Sequence, residues 1–183
     1  MSKKVLVPIA DGFEEIEAIT IVDVLRRAGA TVTIAGVGKL QLTASRGVKV
    51  VADKLVSECE NESWDLIALP GGMPGADNLY GSKTIRDLLN NQWNENRWIA
   101  AICAAPAVVL APMGFLKNRH ATCHPSLAEQ LEGAILSSDR VVVDGRIITS
   151  QGPGSALEFA VKLTAILFGE TKAAEVASPM VLP

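Results

Sequence analysis

From Trp98 to Leu110 the chain reads Trp-Ile-Ala-Ala-Ile-Cys-Ala-Ala-Pro-Ala-Val-Val-Leu, an order that commits it to a strand running straight into a helix. Residues 98–102 are a short apolar run with β-formers, the pattern of a strand buried on both faces. Residues 104–110 are alanine-rich, and Pro106 stands where a first helical turn tolerates it. Cys103 occupies the join. At such a turn a side chain is pushed out at the carboxyl edge of the sheet. There the free N–H groups and positive end of the helix favour thiolate over thiol. The alternative is a small apolar residue in a core, since free cysteine is among the most buried residue types.

Strand-like and helix-like stretches alternate along the remaining chain. Residues 4–10 read as a first strand buried on both faces. Asp11, with Glu14 three residues on, has the capping-box pattern and opens a helix to about Ala28. Ala18, Ile21, Val22, Leu25 and Ala28 share one face of that helix, and Gly29 stops it. Residues 31–36 are a second strand, so the chain begins as a βαβ unit. Two short strands, 40–43 and 48–51, join through Ser45-Arg46-Gly47 as a hairpin. A strand at 65–69 enters the glycine-rich loop 70–75, and a helix covers 82–96. After the cysteine come a strand over 119–124, a short helix from Pro125 and a hairpin pairing 141–143 with 147–149. Helices over 155–168 and 172–177 follow.

The expectation is one domain, residues 1–183, built as a three-layer α/β/α sandwich around a mostly parallel sheet. Sites in such sheets form beyond the carboxyl ends of the strands. The segments 11–17, 71–75, 103–106 and 151–154, together with His124, converge there.

Charge and motifs remove several function classes. Hydrophobic residues are 49% and charged residues 20% of the chain, and the net charge is −3 with no basic run. That balance is ordinary globular usage and argues against a nucleic-acid or anionic-membrane partner. Lys3 and Lys4 lead directly into a strand, no stretch approaches a membrane span, and three cysteines make an odd number for a disulfide scaffold. A cytoplasmic protein is therefore expected. The first turn, Ala-Asp-Gly-Phe-Glu-Glu, lacks the glycines of a dinucleotide site and places acids where a pyrophosphate needs amides.

Glu17 stands one position ahead of the apolar stripe, in line with Ile21 and Val24. Glu14 and Glu15 can reach water or the helix end, whereas Glu17 points towards the sheet. Buried there, it would hold its proton tightly and could donate a hydrogen bond to a thiolate. On a slightly rotated helix it is instead a surface residue. His120 and His124 share one face of the 119–124 strand and Cys123 takes the other, a poor zinc geometry, so no metal is expected. Pro125 leaves His124 the better placed to reach a cleft, with a structural histidine as the alternative. Gly71-Gly72 can offer amides to an oxyanion, or serve only as a tight turn. The serine elbow motif is absent, and cysteine takes its place.

Five motifs in order, Ala-Asp-Gly-Phe-Glu-Glu-Ile-Glu17, Leu-Pro-Gly-Gly72, Ala-Ala-Ile-Cys103-Ala-Ala-Pro, Cys-His124-Pro and Thr-Ser-Gln-Gly-Pro-Gly154, resemble the DJ-1/ThiJ/PfpI superfamily. The likeness spans nearly the whole chain and is closest to bacterial DJ-1-like proteins of the YajL type. It implies a flavodoxin-like fold, no cofactor and a homodimer. It also implies Cys103 as a readily oxidised nucleophile at the elbow, Glu17 as its proton partner and His124 as a cleft residue. The amides of Gly72 and Ala104 would be oxyanion donors, and Arg46 would lie near the dimer interface.

The resemblance points to glyoxalase or deglycase chemistry on methylglyoxal or its adducts, with small reactive carbonyls as substrates. Its alternative is a redox-sensing chaperone, acting on unfolded-protein clients, whose cysteine reaches sulfinate without turnover. PfpI-type peptidases carry histidine directly after the cysteine. Ala104 stands here, which disfavours peptidase or amidase activity. Some members carry a further C-terminal helix. A chain ending at Pro183 would leave its cleft less covered.

Overall fold

The computed structural model describes residues 2–182. Its centre is a seven-stranded sheet in the order β10-β11-β7-β6-β1-β2-β5. These are β10 (Val141–Asp144), β11 (Ile147–Ser150), β7 (Trp98–Ile102), β6 (Leu66–Leu69), β1 (Lys4–Ile9), β2 (Thr31–Gly36) and β5 (Lys54–Leu55). All pairings are parallel except that of β10 with β11. The five longer parallel strands lie in the spatial order second, first, third, fourth, fifth, the flavodoxin-like order. The chain reverses its direction of winding between β1 and β6. The loops that follow those two strands meet at this switch point, where a fold of this kind places its site.

Alternation along the strands divides the core in two. Leu6, Ile67, Ile99 and Ala101 face α3 (Lys83–Asn94), which contributes Ile85, Leu88 and Leu89. Val5, Val7, Ile34 and Ile102 face α1 (Glu15–Arg27) and α4 (Ala156–Phe168), which contribute Ile21, Leu25, Phe159 and Leu163. Val24, Ala28 and Ala160 then seat Val176 of α5 (Glu170–Ala177) on the outside of those two helices. The hairpin of β3 (Gln41–Thr43) and β4 (Lys49–Val51) stands apart from the sheet, with Thr43 opposite Lys49. A short helix α2 (Gly75–Gly81) precedes α3. Among the described residues no helix is long and apolar enough to cross a membrane.

Three local expectations change. The cap of α1 is Glu14, not Asp11, because Asp11 is taken by the hairpin: its Oδ1 accepts from Thr43 N–H at 2.9 Å and its carboxylate pairs with Lys39. The strand expected over 119–124 shrinks to β8 (His120–Ala121), paired with β9 (Ile135–Leu136). His120 and His124 therefore do not share a strand face, and His124 instead caps a short 3-10 turn, Pro125–Gln130. The last helix begins at Glu170, two residues before the expected start.

Candidate active site

Cys103 sits on the bend after β7 with φ +64°, a conformation that costs a non-glycine residue about 1–3 kcal/mol. Its neighbours hold it there. Cys103 N–H donates to Ser150 O at 2.9 Å, and His124 N–H donates to Cys103 O at 2.8 Å. The helical turn that follows, Pro106–Leu110, is five residues of π type, in which Ala111 N–H reaches back to Pro106 O at 2.9 Å. The loop after β6 packs directly against the bend. A Cβ on Gly71 would lie 2.6 Å from Cys103 Cβ and 2.8 Å from Ala104 N, so only glycine fits. The amides of Gly72 and Ala104 both bear on the sulfur.

Glu17 arrives from α1, fully buried at 0% exposure, on the sheet-facing side its spacing indicates. Its Oε2 accepts from Gly71 N–H at 2.7 Å. Among the described residues Oε1 is buried without a well-formed hydrogen bond, and the side chain close enough to couple to this carboxyl by hydrogen bonding is the Cys103 thiol. Burial, helped by the charge of Glu14, pushes the carboxyl up to about 7 against the opposing pull of Gly71 and Cys103.

The thiol departs from expectation. Burial first, then the charge of Glu17 and the hydrogen bond to it, push Cys103 up to about 12, while the Gly72 and Ala104 amides pull the other way. A five-residue turn has too little aligned dipole to oppose these effects. The thiolate is therefore not favoured beside an ionised Glu17. Two of the three raising causes come from that carboxylate, however: protonating it removes the charge and lets its O–H donate to sulfur. Near neutral pH the Glu17 carboxyl therefore exchanges its proton, while the Cys103 thiol keeps its own beside the ionised carboxylate.

The other candidates fall around this pair. His124 is tied to Cys103 by its backbone. Its ring pairs through Nδ1 with Ser126 Oγ at 2.7 Å and also accepts Ser126 N–H at 3.3 Å, which leaves the proton on Nε2. With Arg140, Gln151 and Pro153 it lines a shallow cavity of about 210 Å³. Arg46 lies outside, on the hairpin turn. Its guanidinium reaches Ser45 O at 3.4 Å, and its N–H donates to Glu15 Oε1 at 3.0 Å. Glu15 is accordingly buried against the hairpin rather than facing water. Cys59 and Cys123 are buried in the opposite half of the core, and burial raises both thiols to about 11. Sequence reasoning missed Gly71 as the donor to Glu17 and Ser150 as the backbone anchor. The glycine pair and the Thr-Ser-Gln motif were the available signals.

The profile described as the DJ-1/PfpI family matches residues 3–166. Protein DJ-1 homolog B of Arabidopsis thaliana is 44% identical over 99% of this chain, which spans only 42% of that longer protein. The Caenorhabditis elegans protein named Glutathione-independent glyoxalase DJR-1.2 is 37% identical, with 99% of this chain and 96% of its own length covered. The solved structure of Toxoplasma gondii DJ-1 in an oxidized form superposes with a TM-score of 0.96 at 44% identity, covering 98% of both chains. Agreement of profile, identity and fold over nearly the full length places this chain in the DJ-1/PfpI family.

Proposed function

We propose that this protein is a cysteine-dependent glyoxalase that converts methylglyoxal to lactate without glutathione and also acts on methylglyoxal adducts. The observation that carries this reading is the buried Glu17 carboxyl, held by Gly71 and coupled to the Cys103 thiol at the elbow. The Cys103 sulfur adds to the aldehyde carbon, and the oxygen takes up the thiol proton by way of Glu17, giving a hemithioacetal. Glu17 removes the remaining hydrogen from that carbon as a proton and returns it to the neighbouring carbonyl carbon, while the hydroxyl proton passes to that carbonyl's oxygen, so the adduct becomes a thioester of lactate. Water hydrolyses the thioester, releasing lactate and the thiol. The sum is methylglyoxal plus water, with no external oxidant or reductant.

A group near pH 7 suits a proton carrier that must both give and take within one cycle. The Gly72 and Ala104 amides are the donors we assign to the developing oxyanion, and His124 we place at the mouth of the cleft. The name of the Caenorhabditis elegans relative supports the same chemistry. Purified protein given methylglyoxal in glutathione-free buffer is expected to form lactate, and Cys103→Ser to form none. Lactate production by that variant at the parent rate would overturn the reading.

Oxidation sensing is the second reading, favoured by the unequal exposure of the cysteines. Cys59 is 0% and Cys123 3% exposed, while Cys103 is partly open. Mild peroxide is expected to add about 32 Da, two oxygens, to the Cys103 peptide alone. Equal mass gain on the Cys59 peptide would remove the selectivity on which this reading depends.

A further inference from the structure

Cys103 is held by its backbone between two segments that run on to enclose a cavity. Its C=O accepts from His124 N–H at 2.8 Å, and its N–H donates to Ser150 O at 2.9 Å. The residues after each anchor, Pro125 on one side and Gln151 to Ser155 on the other, line the cavity of about 210 Å³ together with His124 and Arg140. Cavities that take a whole small molecule run from roughly 300 Å³ upwards. This one suits a side group of a molecule whose reacting atoms lie elsewhere.

Its walls are fixed by the fold itself. Ser150 Oγ donates to Arg140 O at 2.7 Å, Gln151 Nε2 donates to Ser138 O at 3.0 Å, and the Arg140 guanidinium donates to Gly154 O. Ser126 pins the His124 ring, and the Cδ2 edge, beside the Nε2–H, turns to Gly152: a Cβ there would lie 3.6 Å from Cδ2. Arg140 Nε donates to Glu158 Oε2 at 2.9 Å, while Nη1 has no partner among the described residues. None of the described residues lining the cavity is a carboxylate. A guanidinium with open N–H groups beside an imidazole N–H matches a carboxylate in charge and in hydrogen bonding.

We propose that this cavity is a substrate subsite, in which Arg140 and His124 take the carboxylate of an α-oxoaldehyde whose aldehyde carbon Cys103 attacks. The substrates are then oxoaldehydes that carry a carboxylate on a short chain where methylglyoxal has its methyl group. This assignment rests on the reading of Cys103 as the nucleophile of a glyoxalase. With a propionate in place of the methyl group, the same steps yield hydroxyglutarate, and the sum is again substrate plus water. Arg140 takes no part in bond making. Its contact is the same before and during the reaction, so it lowers KM and leaves kcat alone.

The test compares kcat/KM for the propionate-bearing oxoaldehyde with that for methylglyoxal. The parent is expected to prefer the acid, and Arg140→Gln to lower that preference about tenfold or more, through KM. Arg140→Lys keeps the charge without the fork and should retain part of the preference. Glu158→Gln frees the guanidinium from its counter-charge and should raise the preference about twofold. Damage to the fold would slow both substrates together and leave the ratio as it was. A parent without the preference, an unchanged ratio in Arg140→Gln or a fall in Glu158→Gln overturns the proposal.

A second measurement needs no turnover. Iodoacetamide alkylation of Cys103, followed by mass spectrometry of its peptide, should be slowed by hydroxyglutarate at about tenfold lower concentration than by lactate. Arg140→Gln should remove that difference. Such protection in a parent that turns over neither oxoaldehyde overturns the glyoxalase reading and leaves the subsite standing. Methylglyoxal turnover without the protection overturns the subsite alone, and the absence of both overturns both.

Discussion

Glu17→Gln is expected to yield a protein that is more stable than its parent at pH 8 and nearly inactive. The Glu17 carboxyl is raised from 4.5 to about 7 by burial. Its folded form thus binds the proton more tightly than the unfolded chain does. The associated stability is fully present below about pH 4.5, declines as pH rises through the window to about 7, and is gone above it. The span corresponds to up to about 3 kcal/mol. Glutamine is neutral throughout and can still accept the Gly71 N–H, so the advantage of the variant should grow by that amount between pH 4 and pH 8. Denaturant unfolding at the two pH values reads it directly. An advantage that does not change with pH would mean that Glu17 ionises in the fold as freely as in water. Loss of the proton carrier should lower turnover by about 10²–10⁴.

Gly71→Ala should cost the elbow itself. The added methyl would stand 2.6 Å from Cys103 Cβ and 2.8 Å from both Ala104 N and Ile102 O. Two of these three atoms are backbone and cannot swing aside. Relief requires the loop after β6 to withdraw, which breaks the Gly71–Glu17 hydrogen bond and removes the Gly72 amide from the sulfur. Overpacking of this kind costs about 1–3 kcal/mol or more, and the broken buried hydrogen bond to a carboxylate adds to it. We expect a loss of at least about 3 kcal/mol by denaturant unfolding together with loss of turnover. A folded, active Gly71→Ala protein would show that the loop is not pressed against the elbow in solution.

Much of this arrangement is legible in the residues alone. The 98–102 run is a strand because its neighbours on both faces are apolar, and the same residues appear as β7. The phase of α1 put Glu17 in register with Ile21 and Val24, and all three are buried on that helix. Both hairpins appear with the expected partners. The failures share a cause. Asp11 has the chemistry of a cap, but the Thr43 amide and Lys39 compete for it and win. Spacing alone leaves Glu15 free to face water, but the Ser45–Arg46 turn closes over it. His124 is held by Ser126, a partner that a strand assignment over the same residues would have directed elsewhere.

What the residues alone determined is the set of parts: a buried parallel sheet, a cysteine at its carboxyl edge and a carboxylate on the sheet-facing side of the first helix. These follow from period and turn chemistry, which act over a few residues and so can be read locally. Whether the Glu17 carboxyl or the Cys103 thiol gives up its proton first was decided only by the tertiary structure. Glu17 is bonded to Gly71 across a separation of 54 residues, and its charge acts on a cysteine farther along still. Proton affinity in a buried pair sums the desolvation, amides and charges brought together by folding, and no local pattern carries that sum.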